Sequence, residues 1–183
     1  MKAYSKRSNN LQGIVICPGD KSISQRSVII GSLLEEDIQI SGFLFAEDPL
    51  STIGALRNLG HEIEIDDDIV SVKNSSKNIS NKKVSCNLGN SGTGFRLISG
   101  LIAGQEINAE LTGDDSLSKR PMNRIINPLN EMGAKIESNK GCAPLTFNKS
   151  QLVKEFLYEM PIASAQLKSC LLLAAISSNM KLT

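Results

Sequence analysis

The sequence has few of the residues that build metal or nucleic-acid sites. Only 4% of its residues are aromatic, His61 is the single histidine, and the four cysteines form no Cys-x-x-Cys pair. A zinc site of cysteine and histidine is therefore not expected, and reduced thiols in a cytosolic protein are the simpler interpretation. The 20 basic and 19 acidic residues leave a net charge of +1. Such a balance gives nucleic acid or an anionic membrane no overall electrostatic reason to bind.

Long apolar runs are also lacking. The first ten residues are polar and have no apolar stretch of the kind found in signal peptides. Runs such as residues 171–176 are far shorter than the ~20 residues that cross a bilayer. We therefore expect a cytoplasmic protein. Its 183 residues are 40% hydrophobic, which is enough for one or two small domains with cores of Ile, Leu, Val and Ala.

The chain repeats itself with a period of about 71 residues, which is longer than the common solenoid repeats. Arg26 corresponds to Arg96, and Gly60 to Gly133, each preceding or following a similar apolar pattern. Several such matches in register predict a small motif that is used repeatedly.

Each unit is predicted to run strand, helix, strand, helix, strand, strand. Unit one covers about residues 11–73, unit two about residues 84–148, and a partial unit three about residues 153–183, with a linker at residues 74–83. The expected fold class is α/β (α+β): βαβαββ units around a pseudo-threefold axis, forming one partial domain over residues 1–183. Because the third unit lacks its later elements, we expect the chain to be part of a longer protein.

Hydrophobic periodicity and capping residues place the individual elements. In unit one, the pattern predicts strands at residues 13–17, 38–41, 63–65 and 69–72, helices at residues 22–34 and 49–59, and a turn at residues 66–68. Asp20 or Ser22 is expected to cap the first helix, and Asp48 the second, with Pro49 as its first residue. Pro121 is expected to begin the second helix of unit two, and a further helix is predicted at residues 164–176.

Polar residues that can bind anions open the first helix of each unit. They are Lys21, Ser22 and Arg26, then Asn90, Ser91, Gly92, Thr93 and Arg96, then Ser164, Gln166 and Lys168. A helix N-terminus offers free N–H groups and a partial positive charge. If the units pack around a pseudo-threefold axis, three such helix starts meet in one pocket for several anionic groups.

Ordinary structural interpretations compete with these site assignments. A lysine beside a cap serine and a glycine-rich turn are both common, and Arg96 and Lys168, a turn inside their helices, are expected in structural ion pairs. Arg120 precedes a helix-starting proline, where its guanidinium can fork onto a carboxylate or phosphate. The paired loop carboxylates Asp114 and Asp115 are expected to be solvated. His61 is expected to be structural, and the cysteines to behave as small apolar residues.

Four motifs, in order, resemble the 5-enolpyruvylshikimate-3-phosphate (EPSP) synthase family. They are PGDKSISQR at residues 18–26, GNSGTGFR at residues 89–96, TGDDSLSKRP at residues 112–121 and ASAQLKS at residues 163–169. The residues of the last two motifs are similar to those of the class II bacterial branch of the family. The family moves the enolpyruvyl group of phosphoenolpyruvate onto the 5-hydroxyl of shikimate 3-phosphate and releases phosphate. The resemblance therefore implies a transferase of aromatic amino-acid biosynthesis that uses no metal or organic cofactor.

The resemblance also implies roles for individual residues. Shikimate 3-phosphate would be held by Lys21, Ser22, Arg26, Ser164 and Gln166. Phosphoenolpyruvate would be contacted or enclosed by Lys21, Asn90, Gly92, Thr93, Arg120 and Gln166. Lys21, shared by both sets, is the catalytic candidate. Ala165 stands where some relatives have a further serine on the substrate phosphate.

A second domain is implied as well. In this family the catalytic carboxylates and further basic ligands lie in a C-terminal domain of the same protein, outside the present residues. We therefore expect no turnover by this chain alone. Relatives that tolerate the herbicide glyphosate have alanine at the position of Gly92, so a full-length enzyme with glycine there is expected to be sensitive.

Three alternatives remain at this point. UDP-N-acetylglucosamine enolpyruvyl transferase shares the architecture, but it has a reactive cysteine in the loop corresponding to residues 112–121, where this sequence has none. A non-catalytic anion-binding remnant is the second alternative. The third, an RNA-binding protein of similar fold, is disfavoured by the near-zero net charge and the few aromatic residues.

Overall fold

The computed structural model describes residues 2–7, 9–74 and 83–183, in which helices and strands alternate along the chain. The first part contains α1 (Lys21–Gly31), β1 (Ile38–Ile40), α2 (Glu47–Asn58), β2 (Glu62–Asp66) and β3 (Ile69–Lys73). The second contains β4 (Val84–Asn87), α3 (Gly92–Gln105), β5 (Ala109–Thr112), a 3₁₀ turn (Leu117–Lys119), α4 (Asn123–Glu131), β6 (Lys135–Asn139) and β7 (Cys142–Asn148). The last contains β8 (Glu155–Phe156), α5 (Ala165–Ser178) and β9 (Lys181–Leu182). The predicted α/β class is confirmed.

The two larger sheets share a strand order. One sheet has the order β1-β3-β2, and the other has β4-β5-β7-β6. In each sheet a helix is followed by a hairpin, and the second strand of that hairpin pairs with the strand that precedes the helix. These pairings are antiparallel, whereas β4 and β5 are parallel, as are β8 and β9. The repeated order agrees with a repeated unit, and the pseudo-threefold arrangement of three units stays a prediction.

The predicted hairpin of unit one is present. Ile63, Val70 and Val72 are buried, while their neighbours in β2 and β3 are more exposed, which is the alternation expected of a half-buried sheet. Asp67 has a φ of 48°, the left-handed conformation typical of a tight turn between such strands. The turn predicted at residues 66–68 is therefore confirmed.

Helix α3 lies at the centre and contacts α1, α2, α4 and α5. Its approach to α5 is close: a Cβ placed on Gly100 would overlap the carbonyl oxygen of Cys170, and one on Gly104 would overlap that of Ala174. Glycine is thus required where the two helix backbones meet. The contact fixes the start of α3 relative to the start of α5.

The strand predicted at residues 13–17 is wrong. Ile14, Val15 and Ile16 are 85–96% exposed, and within the described ranges no strand pairs with them. In the second sheet the comparable strand β4 is held by a parallel partner, β5. An apolar run without a ladder partner does not form a strand, because its backbone groups find no interstrand hydrogen bonds.

Several helix boundaries also differ from those expected. Helix α1 ends at Gly31 and not at residue 34, since the chain there tightens into successive turns. Helix α2 begins at Glu47, and its cap position, Ala46, provides no side-chain hydrogen bond, so Asp48 is not its N-cap. Helix α4 begins at Asn123 and not at Pro121, because the preceding 3₁₀ turn ends in an extended Arg120.

Two further expectations concern the chain as a whole. The linker at residues 74–83 lies, apart from its two end residues, outside the described ranges. In the part of the chain that the structure describes, helices are too short or too polar to cross a membrane.

Candidate active site

The starts of α1, α3 and α5 open onto one cavity of about 280 Å³, which we call the polar pocket. It is lined by Lys21, Asp48, Asn90, Gly92, Thr93, Arg96, Arg120 and Gln166. All the residues expected around phosphoenolpyruvate therefore lie together. Of those expected around shikimate 3-phosphate, Lys21 and Gln166 are in the pocket, whereas Ser22, Arg26 and Ser164 are outside its lining.

The start of α1 presents Lys21 to the pocket. Asp20 caps the helix, since its Oδ1 accepts a 2.8 Å hydrogen bond from the backbone N–H of Ile23. Lys21 follows directly, and its Nζ lies 2.9 Å from Oδ2 of Asp48. The Lys21 side chain is 52% exposed, so a bound anion can reach its ammonium group from the open side.

Asp48 is a pocket residue that the sequence interpretation missed. It was expected to cap α2, but it lies inside the first turn of that helix and holds the Lys21 ammonium group. Its backbone carbonyl accepts hydrogen bonds from the side chains of Gln25, Ser51 and Thr52. No local pattern indicates this role, because Lys21 and Asp48 meet only through the packing of α1 on α2.

The start of α3 is held by its own cap and by a neighbouring loop. Ser91 Oγ accepts a hydrogen bond from the N–H of Gly94 at 3.1 Å. Asn90 Nδ2 donates to Asp114 Oδ2 at 2.9 Å, and Asp114 Oδ1 accepts from the N–H of Leu117 at 2.7 Å. Asp114 is exposed as expected, yet its carboxylate also ties the 3₁₀ turn to the pocket wall.

Arg120 lies across this helix start. Its Nη2 donates to Asn90 Oδ1, and more weakly to Ser116 Oγ at 3.4 Å. A Cβ built on Gly92 would stand 2.9 Å from Nη1 of Arg120 and 3.1 Å from Nη1 of Arg96. The lack of a side chain at Gly92 thus lets two guanidinium groups lie directly against the first turn of α3.

The ion pair expected for Arg96 is wrong. Its Nη1 donates to the carbonyl of Gly92 at 2.9 Å, and no carboxylate of the described residues lies within 4.0 Å of it. Burial lowers the pKa of the Arg96 guanidinium, and the nearby charges of Arg120 and Arg124 lower it further. Arginine nevertheless stays charged in proteins, so the pocket holds positive charge that an anion can neutralise. The correspondence between Arg96 and Arg26 in the repeat is the sequence pattern that could have indicated a place for Arg96 in the pocket.

Lys168 likewise lacks the expected ion pair. It is exposed, and among the described residues no carboxylate lies within salt-bridge distance of it. Lys168 is not part of the lining of the polar pocket, and it lines a separate, largely apolar cavity with Leu171 and Leu172.

Helix α5 closes the pocket and borders a second cavity. Gln166 Nε2 donates to Thr93 Oγ1 at 3.0 Å, which links α5 to α3 across the pocket. Ser164 caps α5 through the N–H of Leu167 and lines a neighbouring cavity of about 260 Å³. Arg26 belongs to α1, and its side chain reaches α5.

The Arg26 guanidinium is held by both helices. It donates to the carbonyl of Ser22 at 3.2 Å and to Ser169 Oγ at 3.4 Å. The residues expected to bind shikimate 3-phosphate are therefore distributed over adjoining surfaces and not over one cavity.

The chemistry of the site follows from its charges. Three cationic side chains and one carboxylate line the pocket. Among residues 2–7, 9–74 and 83–183, no three His, Cys, Asp or Glu side chains are grouped as metal ligands would be. Burial raises the pKa of Cys86 to about 11 and that of Cys170 to about 12, so these thiols stay protonated and are not nucleophiles near neutral pH. The arrangement is suited to binding and orienting anions.

Comparison with known proteins gives consistent results. The sequence profile of the family described as EPSP synthase (3-phosphoshikimate 1-carboxyvinyltransferase) matches residues 5–183. A 3-phosphoshikimate 1-carboxyvinyltransferase of Ruthia magnifica is 49% identical over 96% of this chain and 40% of its own length. One of Thermoanaerobacter sp. is 46% identical over 97% of this chain and 42% of its own length.

A solved structure is similar as well. EPSP synthase from Acinetobacter baumannii matches with a TM-score of 0.77 and 42% identity, covering 86% of this chain and 36% of that protein. The present chain thus spans about 40% of the length of the curated relatives that it matches.

Proposed function

Because the chain belongs to the EPSP synthase (3-phosphoshikimate 1-carboxyvinyltransferase) family, we propose that it supplies the part of the active site built from three helix starts. In the proposed reaction, a C–O bond forms between the 5-hydroxyl oxygen of shikimate 3-phosphate and the enolpyruvyl carbon of phosphoenolpyruvate. The C–O bond from that carbon to the phosphate oxygen breaks, and phosphate is released together with the hydroxyl proton. The polar pocket, with Lys21, Arg96 and Arg120 and a single carboxylate, is the observation that supports this proposal.

Phosphoenolpyruvate is proposed to occupy the polar pocket. Its phosphate and carboxylate are both anionic, and guanidinium groups bind such groups through paired hydrogen bonds. Arg120 stands at the start of α3, where the helix dipole adds to the positive potential. Gly92 leaves room for the ligand, while Asn90 and Thr93 form the wall.

Shikimate 3-phosphate is proposed to bind beside it. Ser22 and Arg26 belong to α1, Ser164 caps α5, and Arg26 joins these two helices by donating to Ser169 Oγ, while Lys21 and Gln166 line the pocket itself. Lys21 would then contact both substrates and move from Asp48 to the ligands. Holding the two anions side by side lowers the entropic barrier to their reaction, and the fixed cations stabilise charge that develops during transfer.

The complete activity is proposed to need more than these residues. The resemblance assigns the catalytic carboxylates to a C-terminal domain of the same protein, so that domain is the proposed partner, in the cytoplasm. No turnover is expected from this chain alone. Phosphate release above background from the purified chain with both substrates would contradict that expectation.

Substrate binding can be tested by calorimetric titration of the chain with shikimate 3-phosphate, and with shikimate, which lacks the phosphate. We expect shikimate 3-phosphate to bind and shikimate not to bind. For phosphoenolpyruvate, Arg120→Met should weaken binding about tenfold or more, because a hydrogen bond to a charged group contributes about 1.5–3 kcal/mol. Lys119→Met is the matched control, since it removes the neighbouring charge outside the pocket.

Two results would overturn the proposal. One is equal binding of shikimate and shikimate 3-phosphate, and the other is equal weakening of phosphoenolpyruvate binding by Arg120→Met and Lys119→Met. Titration with UDP-N-acetylglucosamine, for which we expect no binding, separates this function from that of the related enolpyruvyl transferase.

A further inference from the structure

A buried amide lies behind the polar pocket. Gln25, on α1, is fully buried, and its Nε2 is 2.6 Å from Ser91 Oγ, 3.0 Å from Thr52 Oγ1 and 3.2 Å from the carbonyl oxygen of Asp48. These four residues, which we call the Gln25 node, join α1 to α2 and to the cap of α3. None of the predicted roles includes Gln25.

Two of the three contacts of Gln25 position residues that line the pocket. Ser91 caps α3, so its position sets where Gly92 and Thr93 stand in the pocket wall. Asp48 carries the carboxylate that holds Lys21 Nζ at 2.9 Å. One amide therefore positions the α3 side of the pocket relative to the Lys21 side.

The node is closely packed, which limits where the amide can go. A Cβ on Gly94 would lie 2.6 Å from Thr52 Oγ1, 2.7 Å from Ser91 Oγ and 3.0 Å from Gln25 Nε2. Buried Cβ contacts at such distances require something to shift, and here the neighbours are short, buried side chains. The amide and α3 consequently cannot move independently of each other.

Burial of the Gln25 amide is unfavourable for the free energy of folding, so stability alone does not explain its presence. Gln25 Oε1 is buried and has no hydrogen-bond partner among the described residues, which is unfavourable for a polar atom. Its acceptors do not need it: Ser91 Oγ also receives the N–H of Gly94, and the Thr52 hydroxyl donates to Asp48. An apolar side chain of similar shape would therefore be compatible with the fold.

We propose that Gln25 is a positioning residue, whose amide fixes the start of α3 relative to the Lys21–Asp48 pair and thereby sets the affinity of the pocket for anionic groups. Shikimate 3-phosphate is used as a ligand because the proposed function has it contact Lys21 and Gln166 of the pocket, so this choice rests on the proposed function. The positioning role itself also applies to a simpler anion, so inorganic phosphate serves as an independent probe.

The test compares Gln25→Met with Gln105→Met. Gln105 is the last residue of α3, at the end away from the pocket, and both atoms of its amide are buried without a hydrogen-bond partner in the described ranges. We expect both variants to keep the melting temperature of the wild type. Only Gln25→Met should weaken binding of phosphate and of shikimate 3-phosphate, by about tenfold, which corresponds to ~1.4 kcal/mol. In Gln25→Met the NMR amide signals of Gly92 and Thr93 should also shift.

Each outcome decides between the proposals. Unchanged affinity in Gln25→Met, or equal weakening in both variants, overturns the positioning role even if shikimate 3-phosphate binds the wild type. If phosphate binds in a Gln25-dependent manner but shikimate 3-phosphate does not bind, the proposed function fails and the positioning role stands. If neither ligand binds the wild type, both fail.

A second variant covers the case in which Gln25→Met does not fold. Gln25→Asn keeps the amide but shortens the side chain by one methylene, which withdraws the donor from Ser91. It should fold and show the same loss of phosphate affinity. Wild-type affinity in Gln25→Asn would overturn the proposal.

Discussion

Replacing Gly92 by alanine should separate the stability of the chain from the affinity of its pocket. The new Cβ would stand 2.9 Å from Arg120 Nη1 and 3.1 Å from Arg96 Nη1. Both atoms are the far ends of long side chains, so they can move away by a few tenths of an ångström without disturbing the backbone. The guanidinium groups are displaced, and the helix is not.

The two effects have opposite signs. Alanine in place of glycine in the middle of a helix is worth about 0.5–1 kcal/mol of stability. Gly92 is the first residue of α3, so the gain there is at most of this size, and no positive φ opposes the substitution. Displacement of Arg120 weakens one hydrogen bond made by a charged group, worth about 1.5–3 kcal/mol when lost completely. We therefore expect an unchanged or slightly higher melting temperature and about tenfold weaker binding of phosphoenolpyruvate.

Gly94→Ala provides the contrast two residues further along the same helix. There the new Cβ meets Thr52 Oγ1 and Ser91 Oγ, which are buried and cannot withdraw, and overpacking of this kind typically costs about 1–3 kcal/mol. Thermal denaturation and calorimetry on both variants measure the two effects. A melting temperature in Gly92→Ala as low as in Gly94→Ala, or unaltered affinity in Gly92→Ala, would refute the reasoning.

The same substitution bears on inhibition of a full-length enzyme. Glyphosate is expected to inhibit the form with Gly92, and the alanine variant should need a higher concentration, because the added methyl group narrows the pocket. Inhibition constants for the two forms check this, and equal constants would be inconsistent with the expected role of Gly92.

The remaining predictions concern packing and thiols. Gly100→Ala should destabilise the chain by several kcal/mol, because the new Cβ would overlap the backbone carbonyl of Cys170 in α5. Gly54→Ala in α2, with open space around the new Cβ, should be neutral or stabilising by about 0.5–1 kcal/mol. Equal melting temperatures for the two variants would contradict the close contact between α3 and α5. Burial raises the pKa of Cys86 to about 11 and of Cys170 to about 12, from an ordinary 9.0, so the unfolded thiols ionise first and the free energy of unfolding should fall as the pH rises from 9 towards 11. In the native chain a thiol reagent should modify the exposed Cys17 quickly and these two only after denaturation, and rapid native modification of either would disprove their burial.

Local chemistry explains why much of the fold was predictable. Asp20 and Ser164 cap α1 and α5 through hydrogen bonds to residues three positions later, so a short stretch of sequence contains all the information needed. Gly60 and Gly133 end their helices with φ values of 95° and 106°, a conformation that side chains disfavour. The hairpin of β2 and β3 likewise follows from alternation and a nearby turn.

The sequence-based predictions were wrong where contacts with residues distant in the sequence determine the structure. Residues 13–17 have a strand-like pattern, but no partner strand among the described residues pairs with them. Asp48 looks like a helix cap and instead pairs with Lys21 from another helix. Arg96, one turn inside its helix, is expected from the sequence to form a structural ion pair, yet in the structure it is partly buried beside Arg120 and has no carboxylate partner among the described residues.

The sequence by itself determined the α/β class, the starts of α1 and α5 and membership of the family, because capping, periodicity and motifs are properties of contiguous residues. Only the tertiary structure decided that Lys21, Arg96, Arg120 and Gln166 share one pocket, and that Gln25 lies behind it. These residues are far apart along the chain, and their distances are set by the packing of α1, α2 and α5 on α3. That packing depends on the shapes of all the buried side chains together, including the glycines at which the helix backbones meet, and no local pattern encodes it.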